Sequence, residues 1–329
     1  MLVRRTLLRN ALTISAAAAA PALLAACTPN RPVPATGAGT TGPTPPEATS
    51  NPSFAPSAHL ISQELAELGY DTNESISYEQ AGQALTKRAI VYLPYGYTAN
   101  RQYNVFYLMH GGWGDETRTL GTPGSPSNFK NVLDNAIAAG EIAPLIVVCP
   151  TYNNTSPNDS GNFSLALQLN ENYHHELLND LVPAVESSYC SYAENVSPDG
   201  LTASRDHRGF GGFSMGAVAT WRTFQNGLDY FRYFLPMSCG TSLDMDTILA
   251  AAQNRDPADY FVWIITGTDD FAHPYDQARA QLFRGSPYFT EADTEQDGNF
   301  AFRVKKGYAH DGVAAAEYTY NGLRWFWSS

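Results

Sequence analysis

Basic residues are scarce in this chain: 20 Lys and Arg stand against 32 Asp and Glu, for a formal charge of −12. No stripe of lysines and arginines is available to neutralise a phosphate backbone, so nucleic acid is excluded as a partner. Cysteine is sparse too, with four in 329 residues. A zinc pattern is missing as well. The stretch "HHELLN" at 174–179 sets His175 and Glu176 where a zincin helix needs a second histidine at 179, and Asn179 stands there instead. His174 and His175 are therefore read as solvated or groove-facing helix residues, and no metal is expected. Internal repeats are absent.

The N-terminus carries the one long apolar run. Arg4, Arg5 and Arg9 precede Ala11 to Ala26, which ends in "LLAAC", the anatomy of an export signal. Paired arginines before "TLLR" resemble a twin-arginine signal, and "LAAC" resembles the lipobox of bacterial lipoproteins. Cys27 is then expected to be the lipidated first residue after cleavage; the alternative is an incidental cysteine in an ordinary signal or anchor helix. Residues 28–58 are rich in Pro, Thr, Gly, Ala and Ser, too poor in apolar side chains to repay ordering, and are expected to form a disordered tether. Beyond residue 27, Cys149, Cys190 and Cys239 remain, an odd number that rules out a complete disulfide framework among them. Cys149 and Cys239 end apolar runs and are read as buried thiols.

Residues 59–329 show no second linker and are expected to be one domain. Apolar, β-prone runs occur at 87–95, 103–111, 145–150, 207–213, 230–238, 260–267 and 300–307, and helix-like stretches at 128–139, 171–188, 215–227, 274–284 and 313–327. Strands apolar throughout that alternate with helices predict an α/β fold with a mostly parallel sheet covered on both faces. The early runs at 74–95 and 103–110 have no helix between them and are expected as antiparallel edge strands.

"GFSMG", Gly212 to Gly216, fits the nucleophile elbow G-x-S-x-G of the α/β-hydrolase fold. That pattern requires a buried strand before the serine and a helix after it. "HRGFGGF" supplies the strand, and Val218, Trp221 and Phe224 share one face of a following helix. Ser214 is the expected nucleophile. Its hydroxyl needs a base, and the base needs an acid to hold its tautomer. Only His273 and His310 follow Ser214. His273 sits too close in sequence to the candidate acids to come from a separate strand end, whereas His310 follows the last strand, so His310 is the expected base. Asp269 and Asp270 both end the strand at 260–267, and spacing alone does not choose between them. The amides of Met215 and of the glycine loop "HGG" at 110–112 are expected to receive an oxyanion. His110 is read as a structural residue orienting that loop.

The segments "VYLPYGY", "YLMHGG", "HRGFGGFSMG", "DYFRYFLPMS", "TGTDDFAHP" and "GYAHDG…YNGLRWFW" resemble, in order and spacing, the feruloyl esterases of carbohydrate esterase family 1, within the esterase D-like α/β hydrolases. The resemblance spans nearly all of 85–327. It implies Ser214 as nucleophile, His310 as base, and Asp270 as acid, the last letter of a "G-[ST]-x-D" stretch. It places the oxyanion amides on Met215 and Gly112. One departure is Trp113, where many relatives continue with glycine or a small residue.

The family implies cofactor-free hydrolysis of hydroxycinnamoyl esters, such as ferulate on arabinoxylan, through an acyl-enzyme. Trp113 and Tyr152 are expected to hold the planar acyl group. The partner is then a feruloylated polysaccharide or oligosaccharide, with membrane contact only through the Cys27 lipid. Alternatives on the same three residues are acetyl xylan, a siderophore ester or acyl transfer. A glycan-binding lipoprotein on a retired hydrolase scaffold is the non-enzymatic alternative.

Overall fold

A computed structural model describes residues 50–57, 65–72 and 84–327. The signal, Cys27 and the tether as far as residue 49 lie outside the described residues. The central sheet has eight strands: β1 (Ala66–Asp71), β2 (Thr86–Tyr92), β3 (Asn104–Met109), β4 (Leu145–Cys149), β5 (Arg208–Phe213), β6 (Tyr233–Met237), β7 (Phe261–Gly267) and β8 (Phe300–Lys305), arranged 1-2-4-3-5-6-7-8. Between and after them come α1 (Asn128–Ala138), α2 (Phe163–Glu176), α3 (Val182–Ser188), α4 (Pro198–Ala203), α5 (Met215–Gly227), α6 (Met245–Gln253), α7 (His273–Arg284) and α8 (Gly312–Leu323). A π-helical turn at Leu177–Leu181 joins α2 to α3 without a break, and Pro183, which has no N–H to donate to the preceding turn, stands just after it.

The expected α/β-hydrolase fold is present, with one revision at the N-terminal side. β2 runs antiparallel to both β1 and β4, whereas β3 lies inside the sheet, parallel to β4 and β5. The run at 103–110 is therefore not an edge strand. Its burial explains the placement, since five of the six β3 residues are buried, and a strand covered on both faces belongs to the parallel interior. β1, at 66–71, is an antiparallel edge that apolar patterning did not reveal, because its side chains alternate between partly and fully exposed over most of its length.

Helices cover both faces. α1 and α8 pack on one side over Phe106, Leu108, Leu235, Trp263 and Ile265, while α2, α5, α6 and α7 pack on the other over Tyr107, Phe210, Phe234 and Ile264. Cys149 and Cys239 are free, buried thiols, as expected. Burial pushes the Cys149 thiol far up, and that of Cys239 up to about 12.

Arg208 opens the strand that leads to Ser214 and is 1% exposed. Its Nε and Nη2 bind the Glu186 carboxylate, Nη2 also reaches Ser204 Oγ at 2.7 Å, and Nη1 donates to the carbonyls of Leu201 and Tyr230 at 2.9 and 2.6 Å. All five guanidinium donors are engaged, which is what a charge needs in order to be buried at low cost.

The strands end level with one another. Met109 pairs with Gly212, Phe213 with Met237, Met237 with Ile265 and Gly267 with Lys305. The loops after β3, β5, β6, β7 and β8 consequently emerge along a single edge of the sheet, where ligands of open α/β folds bind.

The expected tether boundary at residue 58 does not hold. Residues 50–57 are laid against α1 and α8: Asn131 Nδ2 donates to Phe54 O at 3.1 Å, and Asn321 Nδ2 to Ser50 O at 2.9 Å. Side-chain amides on two helices supply the partners that the segment's own composition lacks, so the ordering comes from tertiary contact.

Candidate active site

β5 stops at Phe213 and α5 starts at Met215, leaving one residue to reverse the chain. Ser214 takes φ 60° and ψ −114°, a conformation that costs a non-glycine residue about 1–3 kcal/mol. Main-chain bonds hold it there, from Ser214 N to Met237 O at 2.9 Å and from Ala217 N to Ser214 O at 2.9 Å. The flanking glycines permit the turn. A Cβ on Gly212 would stand 2.6 Å from the Gly216 carbonyl carbon, and one on Gly216 would overlap the Met109 carbonyl. Two residues on either side of the serine, only a hydrogen fits.

His310 lies in the loop between β8 and α8. Asp311, the next residue, caps α8 by accepting from Val313 N and Ala314 N, both at 2.9 Å, which fixes the loop immediately after the histidine. The imidazole is wedged between Phe213 and Phe271, each with its ring centroid 4.4 Å away. Its Nδ1 donates to Asp270, at 2.9 Å from Oδ1 and 3.0 Å from Oδ2. With the proton committed to Nδ1, the neutral ring keeps its lone pair on Nε2.

Asp270 is 4% exposed. Burial pushes its carboxyl upward, but hydrogen bonds from His310, from Ala272 N and from the Ser238 hydroxyl outweigh that and hold it below the ordinary range. Asp269, by contrast, bonds the neighbouring Thr268 hydroxyl at 2.7 Å in solvent. Geometry thus separates two acids that spacing left equal.

Ser238 was not singled out in sequence. It too is buried with a positive φ, 50°. Its loop is clamped from below, since Cys239 N donates to Asp276 and Arg279 Nη1 donates to Cys239 O at 2.7 Å. Burial drives the Asp276 carboxyl up to about 7, against the pull of Arg279.

On the other side of Ser214 lies the loop 110–113. His110 is 3% exposed. It donates from Nδ1 to Gly111 O at 2.7 Å, and its Nε2 meets Thr151 Oγ1 at 2.7 Å. Burial lowers its pKa to about 4, so it is a neutral spacer, as expected of a residue that orients the loop. Met215, first in α5, has an amide with no intrahelical acceptor. Trp113 N is taken by Ser160 O at 3.1 Å, whereas Gly112 N has no protein acceptor among the described residues.

Tyr152 is not where the expectation put it. It is fully buried, stacks on His110 at 4.4 Å and donates to Gly111 O at 3.2 Å. It therefore supports the loop from behind and does not line the cavity. Trp113 does line the cavity, 82% exposed at its mouth, with φ 57°.

The cavity measures about 850 Å³ and holds Ser214, His310, Gly112 and Trp113 together. Its walls are mostly apolar, including Leu108, Met109, Phe129, Phe213, Met237 and Phe271, with Arg118 as the one arginine or lysine among the lining residues. Phe271 and Phe54 were also missed in sequence. Phe271 adjoins Asp270, but nothing in a one-dimensional pattern turns it toward His310; Phe54 sits in a stretch whose composition predicts disorder.

A strained serine at a strand-to-helix turn, an imidazole bonded to a buried carboxylate, and an apolar slot shared by both define a serine hydrolase of the α/β-hydrolase class. Residues 86–306 match the Esterase family model, and the chain belongs to that family. Endo-1,4-beta-xylanase Y of Acetivibrio thermocellus is 40% identical over 249 residues, 73% of this chain but 22% of that protein, so this chain corresponds to about a fifth of that relative. A serine-to-alanine mutant of the feruloyl esterase module from Clostridium thermocellum, complexed with sinapinate, superposes with a TM-score of 0.70 at 33% identity, over 85% of this chain and 95% of that one. The CE1 ferulic acid esterase of Anaeromyces mucronatus shares the fold at 16% identity, TM-score 0.62, over 84% and 96% of the two chains.

Proposed function

We propose that this esterase releases hydroxycinnamic acids, ferulate foremost, from feruloylated arabinoxylan or its oligosaccharides. In this reading Ser214 Oγ attacks the ester carbonyl carbon while His310 Nε2 takes its proton. The amides of Met215 and Gly112 bind the oxygen as it becomes negative. The bond to the sugar oxygen then breaks, His310 returns the proton to that oxygen, and a water repeats the sequence on the acyl-enzyme to liberate the acid. Asp270 keeps the imidazole in the productive tautomer and stabilises the imidazolium. No cofactor enters.

The observation that carries the reading is that His310, doubly bonded to the buried Asp270, lines the same apolar cavity as Ser214. The acyl preference is supported by the aromatic and aliphatic walls, which suit a flat phenolic ring better than a bare acetyl group, and by the sinapinate complex of the feruloyl esterase module. Incubation with methyl ferulate and with feruloyl-arabinoxylan is expected to release ferulate, seen by chromatography. Release of acetate from acetyl xylan with none of ferulate would transfer the assignment to an acetyl esterase.

Export and attachment through a lipid on Cys27 belong to the same proposal, supported by the arginine-led apolar run and "LAAC". Cys27→Ala is expected to move the protein from the membrane fraction to the soluble fraction of the producing cell; unchanged partition would defeat the anchor.

A further inference from the structure

Residues 50–57 do more than connect. Asn131 and Asn135, one turn apart on α1, donate to three successive carbonyls: Ser53 O at 3.1 Å, Phe54 O at 3.1 Å and Ala55 O at 2.7 Å. At the other end Ser50 N donates to Asn321 Oδ1 at 2.8 Å, Arg324 Nη1 reaches Ser50 Oγ at 2.7 Å, and Lys305 Nζ reaches Asn51 Oδ1 at 2.7 Å. The segment is a strap tied to both α1 and α8, the helices whose first turns line the cavity of Ser214.

One strap residue, Phe54, lines that cavity. Because the carbonyls before, at and after it are all held, the direction of its side chain is set by the strap and not by chance packing. We propose that Phe54 is a specificity-determining residue of the ester-hydrolysing site, an aromatic end wall that limits the length and bulk of the acyl group the slot accepts. This rests on Ser214 being the nucleophile of an esterase, and it adds that the acyl site is built partly by chain that precedes the β-sheet. The acyl class that fits is a single planar ring, or a short chain, ending against the Phe54 ring.

The full-length protein and three variants, Phe54→Ala, Phe54→Leu and Phe54→Trp, test the idea with p-nitrophenyl esters of two to eight carbons. The readout is the ratio of kcat/KM for the octanoate to that for the acetate. Apolar pockets discriminate roughly 10- to 200-fold per methylene. The ratio is accordingly expected to rise about tenfold in Phe54→Ala, to rise less in Phe54→Leu, and to fall in Phe54→Trp.

Circular dichroism and fluorophosphonate labelling identify the folded variants. A ratio that stays within twofold of wild type in the folded variants overturns the proposal, and if Phe54→Ala does not fold, the Leu and Trp variants decide. The chromogenic series does not depend on ferulate. A shifted ratio without ferulate release by wild type would defeat the feruloyl reading alone, and ferulate release with a fixed ratio would defeat the strap alone.

Discussion

Ser214→Ala is expected to lower kcat by about 10⁴- to 10⁶-fold on every ester the wild type hydrolyses, the range seen when a serine nucleophile is removed from its base and acid. KM should change little, because the missing oxygen makes bonds chiefly on the way to the tetrahedral state. The fold should survive. Alanine meets the same penalty as serine at φ 60°, and the bonds that impose this conformation run through main-chain atoms, Ser214 N to Met237 O and Ala217 N to Ser214 O. Thermal melting within a few degrees of wild type, together with loss of fluorophosphonate labelling, is the expected pair of results. Retention of one per cent of the activity would remove Ser214 from the chemistry and, with it, the acyl-enzyme.

The second large effect concerns the carboxylate. Asp270→Asn is expected to lower kcat about 10⁴-fold. An asparagine can offer N–H to Nδ1, which moves the imidazole proton to Nε2 and leaves no lone pair facing the serine. Asp269→Asn is the matched control. Its side chain bonds Thr268 in solvent, and kcat should stay within about twofold.

A change in the pH dependence of stability accompanies Asp270→Asn. The Asp270 carboxyl is held below its ordinary value of 3.8 in the fold, so the unfolded chain takes up this proton first as acid is added. The stabilisation from its bonds is complete above the unfolded pKa and drains away as pH falls through the lower, folded value. Urea unfolding of wild type between pH 6 and 3 should show this acid limb, and Asp270→Asn should lack its share. Equal acid limbs in the two proteins would mean that Asp270 is not held as a buried, bonded carboxylate.

How far the site could be read in advance depended on how local each cause is. The elbow is the most local: Gly212 is needed because the strand end and the helix start touch within five residues, and Gly216 because the helix start touches the Met109 carbonyl on the neighbouring strand, so both requirements are written in one pentapeptide although only the first is local in cause. His310 followed from chain order. Asp270 was separable from Asp269 only by resemblance, and the coordinates add the reason, namely that one carboxylate turns inward to Nδ1 and the other outward to Thr268. Tyr152 was misread because an aromatic next to a strand end is equally apt to face a cavity or to back a loop, and its contact with His110 spans 42 positions of sequence. β3 was misplaced to the edge because a missing helix between two strands says nothing about which strand later inserts beside them.

The sequence by itself determined the class of fold and the tight turn at Ser214, and it singled out His310 as the candidate base, since hydrophobic period, glycine spacing and chain order are properties of neighbours or of sequential elements. Only the tertiary structure decided which carboxylate meets the imidazole, that Ser238 braces it, that Tyr152 stands behind the loop, and that Phe54 lines the cavity. Each of these rests on side chains whose partners lie far away along the chain. No local pattern encodes such a contact: it exists only once the sheet has brought separate loops to one edge and two helices have supplied the amides that tie down an otherwise polar, proline-rich strand of chain.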